Sequence, residues 1–136
     1  MPLTHDELVT RAVDGYFGSV NRRDTETLLG HLAPDCVMHV VSAGIRYEGK
    51  QAIVDHFEEF LEEYPSIAFA DFQPTADEPC QKVAVRFTIT LTDRAGEETV
   101  MTNCNFFDLD DEGRFAHVAI YMSDLPPKGF DKGAAP

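Results

Sequence analysis

Residues 97–123, EETVMTNCNFFDLDDEGRFAHVAIYMS, carry the pattern that decides the fold. Met101, Asn103, Asn105, Phe107 and Leu109 fall on one face, and Val100, Thr102, Cys104, Phe106 and Asp108 on the other. Beyond Asp110-Asp111-Glu112-Gly113, the residues Val118, Ile120 and Met122 alternate with His117, Ala119 and Tyr121. Period-two alternation of β-branched and aromatic residues marks strands, so the stretch predicts a long β-hairpin. Gly113 can take the positive φ that a bulged hairpin loop needs. Both faces carry apolar side chains, so both need cover. One face is expected against helices and the other against a second sheet or a subunit.

Working back from the hairpin, a strand is predicted over about 81–92. Val83, Val85, Phe87, Ile89 and Leu91 form its apolar row, and Arg86, Thr88 and Thr90 its polar row. Another strand covers about 67–76, with Pro74 marking a bulge or a sheet edge. The first half of the chain is mainly helical. Thr4 and Glu7 have capping-box spacing, and Val9, Ala12, Val13, Tyr16 and Val20 recur at helical spacing over about 5–21. A short second helix starts at Asp24 or Thr25 and stops at Ala33-Pro34-Asp35. Strands at 36–41 and 45–47 follow. A third helix over about 50–64 presents Ile53, His56, Phe57, Phe60, Leu61 and Tyr64 as its inner face. Pro65 ends it. The Pro-, Gly- and Lys-rich residues 125–136 read as a mobile tail after a single domain over 1–124.

The chain has 136 residues, 43% of them hydrophobic, including ten Phe, enough for one domain with a core of its own. A net charge of −13 argues against nucleic acid, because phosphate binding needs clustered Lys and Arg. It disfavours anionic membrane surfaces as well. The three cysteines, Cys36, Cys80 and Cys104, cannot all pair and lack C-x-x-C spacing, so they read as reduced thiols in a cytoplasmic protein. Neither a signal peptide nor an apolar run of spanning length is visible. The five histidines have no metal-ligand spacing, so no metal is expected, and no nucleotide-binding glycine motif points to a cofactor.

The segments YFGSVNRRDTETLLGHLAPDCVMHVV, YEGKQAIVDHF and GRFAHVAIYMSD, in this order of helices and strands, resemble the nuclear-transport-factor-2-like superfamily. The likeness is to its SnoaL-like and ketosteroid-isomerase side and covers roughly residues 5–123. It implies an α+β cone: a strongly curved, mixed or antiparallel sheet wrapped by three helices around an apolar pocket, commonly paired as a homodimer through the outer sheet face. It also implies that the polar row of the 81–92 strand faces inward, where Arg86 would hold a carboxylate or enolate. Plain patterning places the apolar row inside instead.

The family's functional positions carry over one at a time. In ketosteroid isomerases a helix-1 tyrosine in Y-x-x-x-x-N-x-x-D donates to the substrate oxygen, and Tyr16, Asn21 and Asp24 have that spacing. The second donor is there an acid kept neutral. Asn105 stands at its place, and an amide donates without any pKa shift. The isomerase base falls on Val40, which cannot take a proton. One aspartate of the limonene epoxide hydrolase water activator falls on Ile120, so that mechanism is broken too. Scytalone dehydratase positions find no match.

His56 is then the remaining acid or base, unless it is a core histidine held by backbone or Tyr. His39, next to Val40, is expected mainly to point away from the pocket. Tyr16 is either a pocket donor or an amphipathic residue at a helix edge. The resemblance implies a binder of a small hydrophobic ligand. As an enzyme it would be a cofactor-free isomerase, cyclase or lyase acting by proton transfer on a hydrophobic carbonyl compound. Tyr16 and Asn105 would polarise the oxygen and His56 would move the proton. Val40, Phe60, Arg86, Asn103, Val118, Ile120 and Met122 would contact the substrate. The alternative, favoured by the losses at Val40 and Ile120, is a non-catalytic module that binds a metabolite or a partner protein.

Overall fold

The computed structural model describes residues 2–128 and 130. Six strands form one sheet: β1 (Leu32–Val40), β2 (Ile45–Glu48), β3 (Ser66–Asp77), β4 (Lys82–Thr92), β5 (Glu98–Leu109) and β6 (Phe115–Tyr121). Their order is β2-β1-β6-β5-β4-β3, so the sheet is not closed, and β2 and β3 are its edges. β1 runs parallel to β6, and the other neighbours are antiparallel. Three helices pack on one face, which gives the α+β cone that the sequence predicts.

The hairpin alternation sets which face is inner. Met101, Asn103, Asn105, Phe107 and Leu109 are buried, whereas Val100, Thr102 and Phe106 are exposed. On β4 the apolar row Val83, Val85, Phe87, Ile89 and Leu91 is the buried one. This corrects the inward polar row that the family resemblance implied. Five apolar side chains against three polar ones decide the facing, because turning the strand over would bury a guanidinium.

The first helix is continuous but not uniform. His5–Thr10 and Gly18–Asn21 are α-helical, and Arg11–Phe17 between them is π-helical, with the Gly18 N–H bonded to Val13 O five residues back. The wider turn shifts the phase of the inner face. Tyr16 and Phe17, adjacent in sequence, are both buried, while Val9 and Val13 are only half-buried. Simple helical spacing predicts the opposite for Val13 and Phe17.

β1 starts at Leu32, earlier than the predicted residue 36. Pro34 lies where the β1–β6 register breaks, between Leu32 and Val37, so its missing N–H costs no ladder bond. On β3 the irregularity falls between Ala70 and Gln73, around Asp71 at φ 55°, and Pro74 itself pairs in register with Val85. Pro74 is nevertheless on an edge strand, as its lack of a donor requires.

Side-chain clamps lock helices to sheet. The Asn21 amide pairs with the backbone of Phe69 in both directions, Nδ2 donating to O at 3.1 Å and Phe69 N–H donating to Oδ1 at 2.8 Å. The Gln81 amide does the same to Leu3, at 2.9 and 2.8 Å. Arg23 donates to the carbonyls of Leu61, Tyr64 and Pro65, which caps the end of the third helix with a cation. Thr4 and Glu7 form the predicted capping box, and Asp24 caps the second helix through Thr27 N at 3.1 Å. Two members of the tyrosine motif, Asn21 and Asp24, thus hold structure. Asn21→Ala leaves a half-buried N–H and C=O of β3 without their partner. It is expected to lower unfolding free energy by about 1–3 kcal/mol in denaturant titration.

Candidate functional site

The inner face of the sheet, the π-helical turn and the third helix enclose a hollow. Tyr16 enters from the first helix, and Phe57 and Phe60 from the third. Phe69, Phe87, Ile89, Met101, Asn103, Asn105, Ile120 and Met122 come from the sheet and its margin, and Pro127 and Phe130 from the segment after β6. The open volume among them is about 20 Å³, little more than one water needs. Phe130 is 5% exposed, so this part of the expected mobile tail is packed into the domain. Residues 131–136 of that expected tail, and Gly129, lie outside the described residues.

Asn105 is the polar feature of the wall. It is 2% exposed, and its Oδ1 is buried with no hydrogen-bond partner among the described residues. An orphaned buried acceptor costs about 1–3 kcal/mol, and a ligand donor relieves that cost. Rotating the amide by half a turn presents Nδ2 at the same place, so one side chain can meet a hydroxyl or a carbonyl. Asn103 is different. Its Oδ1 accepts from Ser123 N–H at 3.3 Å and steadies the exit from β6.

Tyr16 is 1% exposed, and its hydroxyl donates to Met38 Sδ at 3.5 Å. Its ring meets Phe17, Phe57, Phe107 and Phe115 edge-on, with centroids 4.9–5.9 Å apart. Burial, with a smaller push from Cys36, drives its pKa above the ordinary phenol value. It is a neutral donor with a weak present acceptor.

His56 is buried but is not among the residues that line the hollow. Its ring stacks on Tyr47 at 4.3 Å and 29°, lies parallel to Phe60 at 6.0 Å, and meets Phe130 edge-on at 4.4 Å. The expected convergence of Tyr16, His56 and Asn105 therefore splits. Tyr16 and Asn105 share the hollow, and Phe60 and Phe130 stand at its boundary with His56.

Of the expected contact residues, Phe60, Asn103, Ile120 and Met122 line the hollow. Val40 and Val118 are fully buried on the neighbouring strands β1 and β6, opposite Ile120 and Met38 respectively, but are not among the lining residues. Arg86 is a correction: it is exposed on the outer face and bonded to Gln73, so it cannot hold a ligand inside. His39 is half-buried on the face opposite Val40, as expected. Phe57 was legible as inner-face helix packing, and Phe87, Ile89 and Met101 as strand packing, yet no pattern marked them as lining. Burial lifts the Cys36 thiol to about 12, helped by Asp35, and raises that of Cys104, in keeping with packing roles. Among the described residues no cluster of His, Cys, Asp or Glu could hold a metal, and no helix is long and apolar enough to cross a membrane.

The model of the SnoaL-like domain matches residues 13–118, from the π-helical turn to the middle of β6. The chain belongs to the SnoaL-like domain family. Solved structures of the same fold include a proposed polyketide cyclase from Xanthomonas campestris pv. campestris, with 23% identity, TM-score 0.76, and 86% of this chain and 90% of that one covered. AusH from Aspergillus nidulans gives 18%, 0.78, 98% and 93% in the same order. PrhC from Penicillium brasilianum gives 16%, 0.75, 89% and 83%. These likenesses establish the fold of this SnoaL-like chain. No curated protein matches it.

Tyr16 gives a test of the buried hydroxyl. A phenol whose pKa is raised on folding contributes stability that is fully present below the unfolded value of 10.0 and is lost as pH rises beyond it. Tyr16→Phe is therefore expected to cost under about 1 kcal/mol at pH 7, since only a thioether acceptor is lost. It should also flatten the fall of melting temperature above pH 10.

Proposed function

We propose that this SnoaL-like protein binds a small, uncharged, largely apolar compound through one hydroxyl or carbonyl oxygen held by Asn105. The unsatisfied Oδ1 of a residue in a largely apolar wall carries this reading. An apolar lining with a few placed polar groups is how small-molecule pockets combine affinity with orientation. Net charge −13 and a lining without Lys or Arg point away from anionic ligands. The homodimer belongs to the same proposal. Val100, Phe106 and Tyr121 are 58, 48 and 44% exposed on the outer sheet face, where the family pairs, and a partner would cover them.

A matched pair of probes tests the binding reading. 4-Methylphenol and p-xylene differ by a hydroxyl in place of a methyl. The phenol is expected to bind about tenfold more tightly, the worth of one satisfied buried acceptor. Asn105→Leu should abolish that preference while leaving p-xylene binding in place. Equal affinities in the natural chain, measured by calorimetry, would remove Asn105 as the anchor.

The second reading is an isomerase, cyclase or lyase. The presence of Tyr16 and Asn105 in one hollow supports it, since the two can share a carbonyl oxygen and stabilise the enolate formed from it. His56 then moves the proton, which requires the ring boundary of Phe60 and Phe130 to open. Polyketide-like carbonyl compounds, the class named for the Xanthomonas relative, are the substrates to incubate. Mass spectrometry and deuterium exchange should show product or label with the natural chain and at least a hundredfold less with His56→Ala. Bound but chemically unchanged compounds support the module.

A further inference from the structure

We propose that Phe130 is a displaceable plug whose ring marks the seat for a planar ring of the ligand. The inference rests on the binding reading above and adds what fills the site at rest and what shape must replace it. With Phe130 in place, only about 20 Å³ is open, so no organic molecule fits beside it. The hollow nevertheless has Asn105 in its lining, and that residue's unsatisfied Oδ1 is one that Phe130, a hydrocarbon ring, cannot satisfy.

Phe130 is seated against two rings. It meets His56 edge-on at 4.4 Å and 68°, and Phe60 edge-on at 5.1 Å and 78°. These are the geometries that any uncharged aromatic ring prefers, so another ring can take the same position. The segment that delivers Phe130 adds no strand to the sheet. It is joined to the domain through Lys128 N–H, which donates to Tyr64 Oη at 3.1 Å. An ion pair of Lys128 Nζ with Asp93 at 3.9 Å is 69% exposed on the lysine side and therefore weak. Phe130 N–H donates to Pro127 O at 3.3 Å, so this bond is internal to the segment and does not tie it to the sheet. Leu125, 82% exposed, precedes it. Among the described residues of the segment, one backbone bond to the domain and one inserted ring are the attachments that an opening unit would have to release. When it swings out, the hollow gains the volume of a phenyl ring, and the face of His56 that Phe130 covers becomes part of its wall.

Toluene tests the plug without touching Asn105, because it has no hydrogen-bonding group. In the natural chain its apparent affinity is lowered by the small fraction of open molecules. Phe130→Ala removes the competitor, so toluene is expected to bind at least tenfold more tightly by calorimetry. The chain contains no tryptophan, so Phe130→Trp supplies a single reporter. Its indole emission should be blue-shifted at rest and move to the red as toluene saturates. Equal toluene affinity in the natural chain and a folded Phe130→Ala overturns the plug. So does an indole emission that stays blue when toluene is bound, which decides the matter even if the alanine variant does not fold. Loss of the phenol preference with a normal toluene response sinks the Asn105 anchor alone.

Discussion

The register of β5 is the constraint on which the rest depends. Its odd-numbered residues must face the helices because they carry Met101, Phe107 and Leu109, and a one-residue slip would expose all three. Asn103 and Asn105 share that parity and are carried inside with them. Pairing then places Phe87 opposite Asn103, and Val85 and Ile120 on either side of Asn105. Two amides are thus buried by the hydrophobic effect acting on their neighbours. One of them found a backbone partner in Ser123 and the other did not. That asymmetry separates an amide with a structural partner from the one on which the proposed binding reading rests.

The same constraint explains why the helices need pins. A curved sheet that is not closed leaves its edge strands with unpaired backbone groups. Asn21 occupies the free edge of β3 at Phe69, and Phe69 lines the hollow. Through this pair the first helix, which carries Tyr16 and Phe17, is held at one height over the sheet. The π-helical turn then brings both rings inward, with Phe17 reaching Phe69, Phe72 and Phe87 within 4.5–5.2 Å. A regular helix in the same place would turn one of those two rings away.

Much of this was legible in the sequence, because period-two burial and helix caps are local signals. The hairpin alternation, the capping box at Thr4 and the third helix follow from residues within a few positions of one another, and the family from the order of such segments along roughly residues 5–123. The candidate site was legible only in part. Asn105 and Tyr16 carried over by position, and both line the hollow. His56 shared a face with Phe60 as predicted, yet a helical face spans about 100°, wide enough for one residue to line a cavity and its neighbour to sit behind it. Arg86 was misled by family analogy where the strand's own alternation was correct. Phe130 was hidden by its context: Pro, Gly and Lys around it read as linker, and no pattern shows that a single ring in a linker returns to the core. Its seat is built by residues more than sixty positions earlier.

A hollow occupied by its own chain resolves a conflict between stability and binding. An empty void the size of a phenyl ring, on the order of 100 Å³, costs about 2 kcal/mol, and a cone that waits empty for its ligand bears that cost continuously. A tethered ring avoids it, because its local concentration is fixed by the short segment after β6. The consequence is selectivity by difference. When a ligand ring replaces Phe130, apolar contact is exchanged for apolar contact on His56 and Phe60, and the net gain is small. On the proposed reading, what would then favour the ligand is a bond to Asn105 that the phenyl ring cannot make. Greasy molecules without an oxygen at the right place compete with the plug on equal terms and gain little. On the proposed reading, a plug of this kind would remove the indiscriminate part of hydrophobic affinity and leave discrimination to the amide of Asn105.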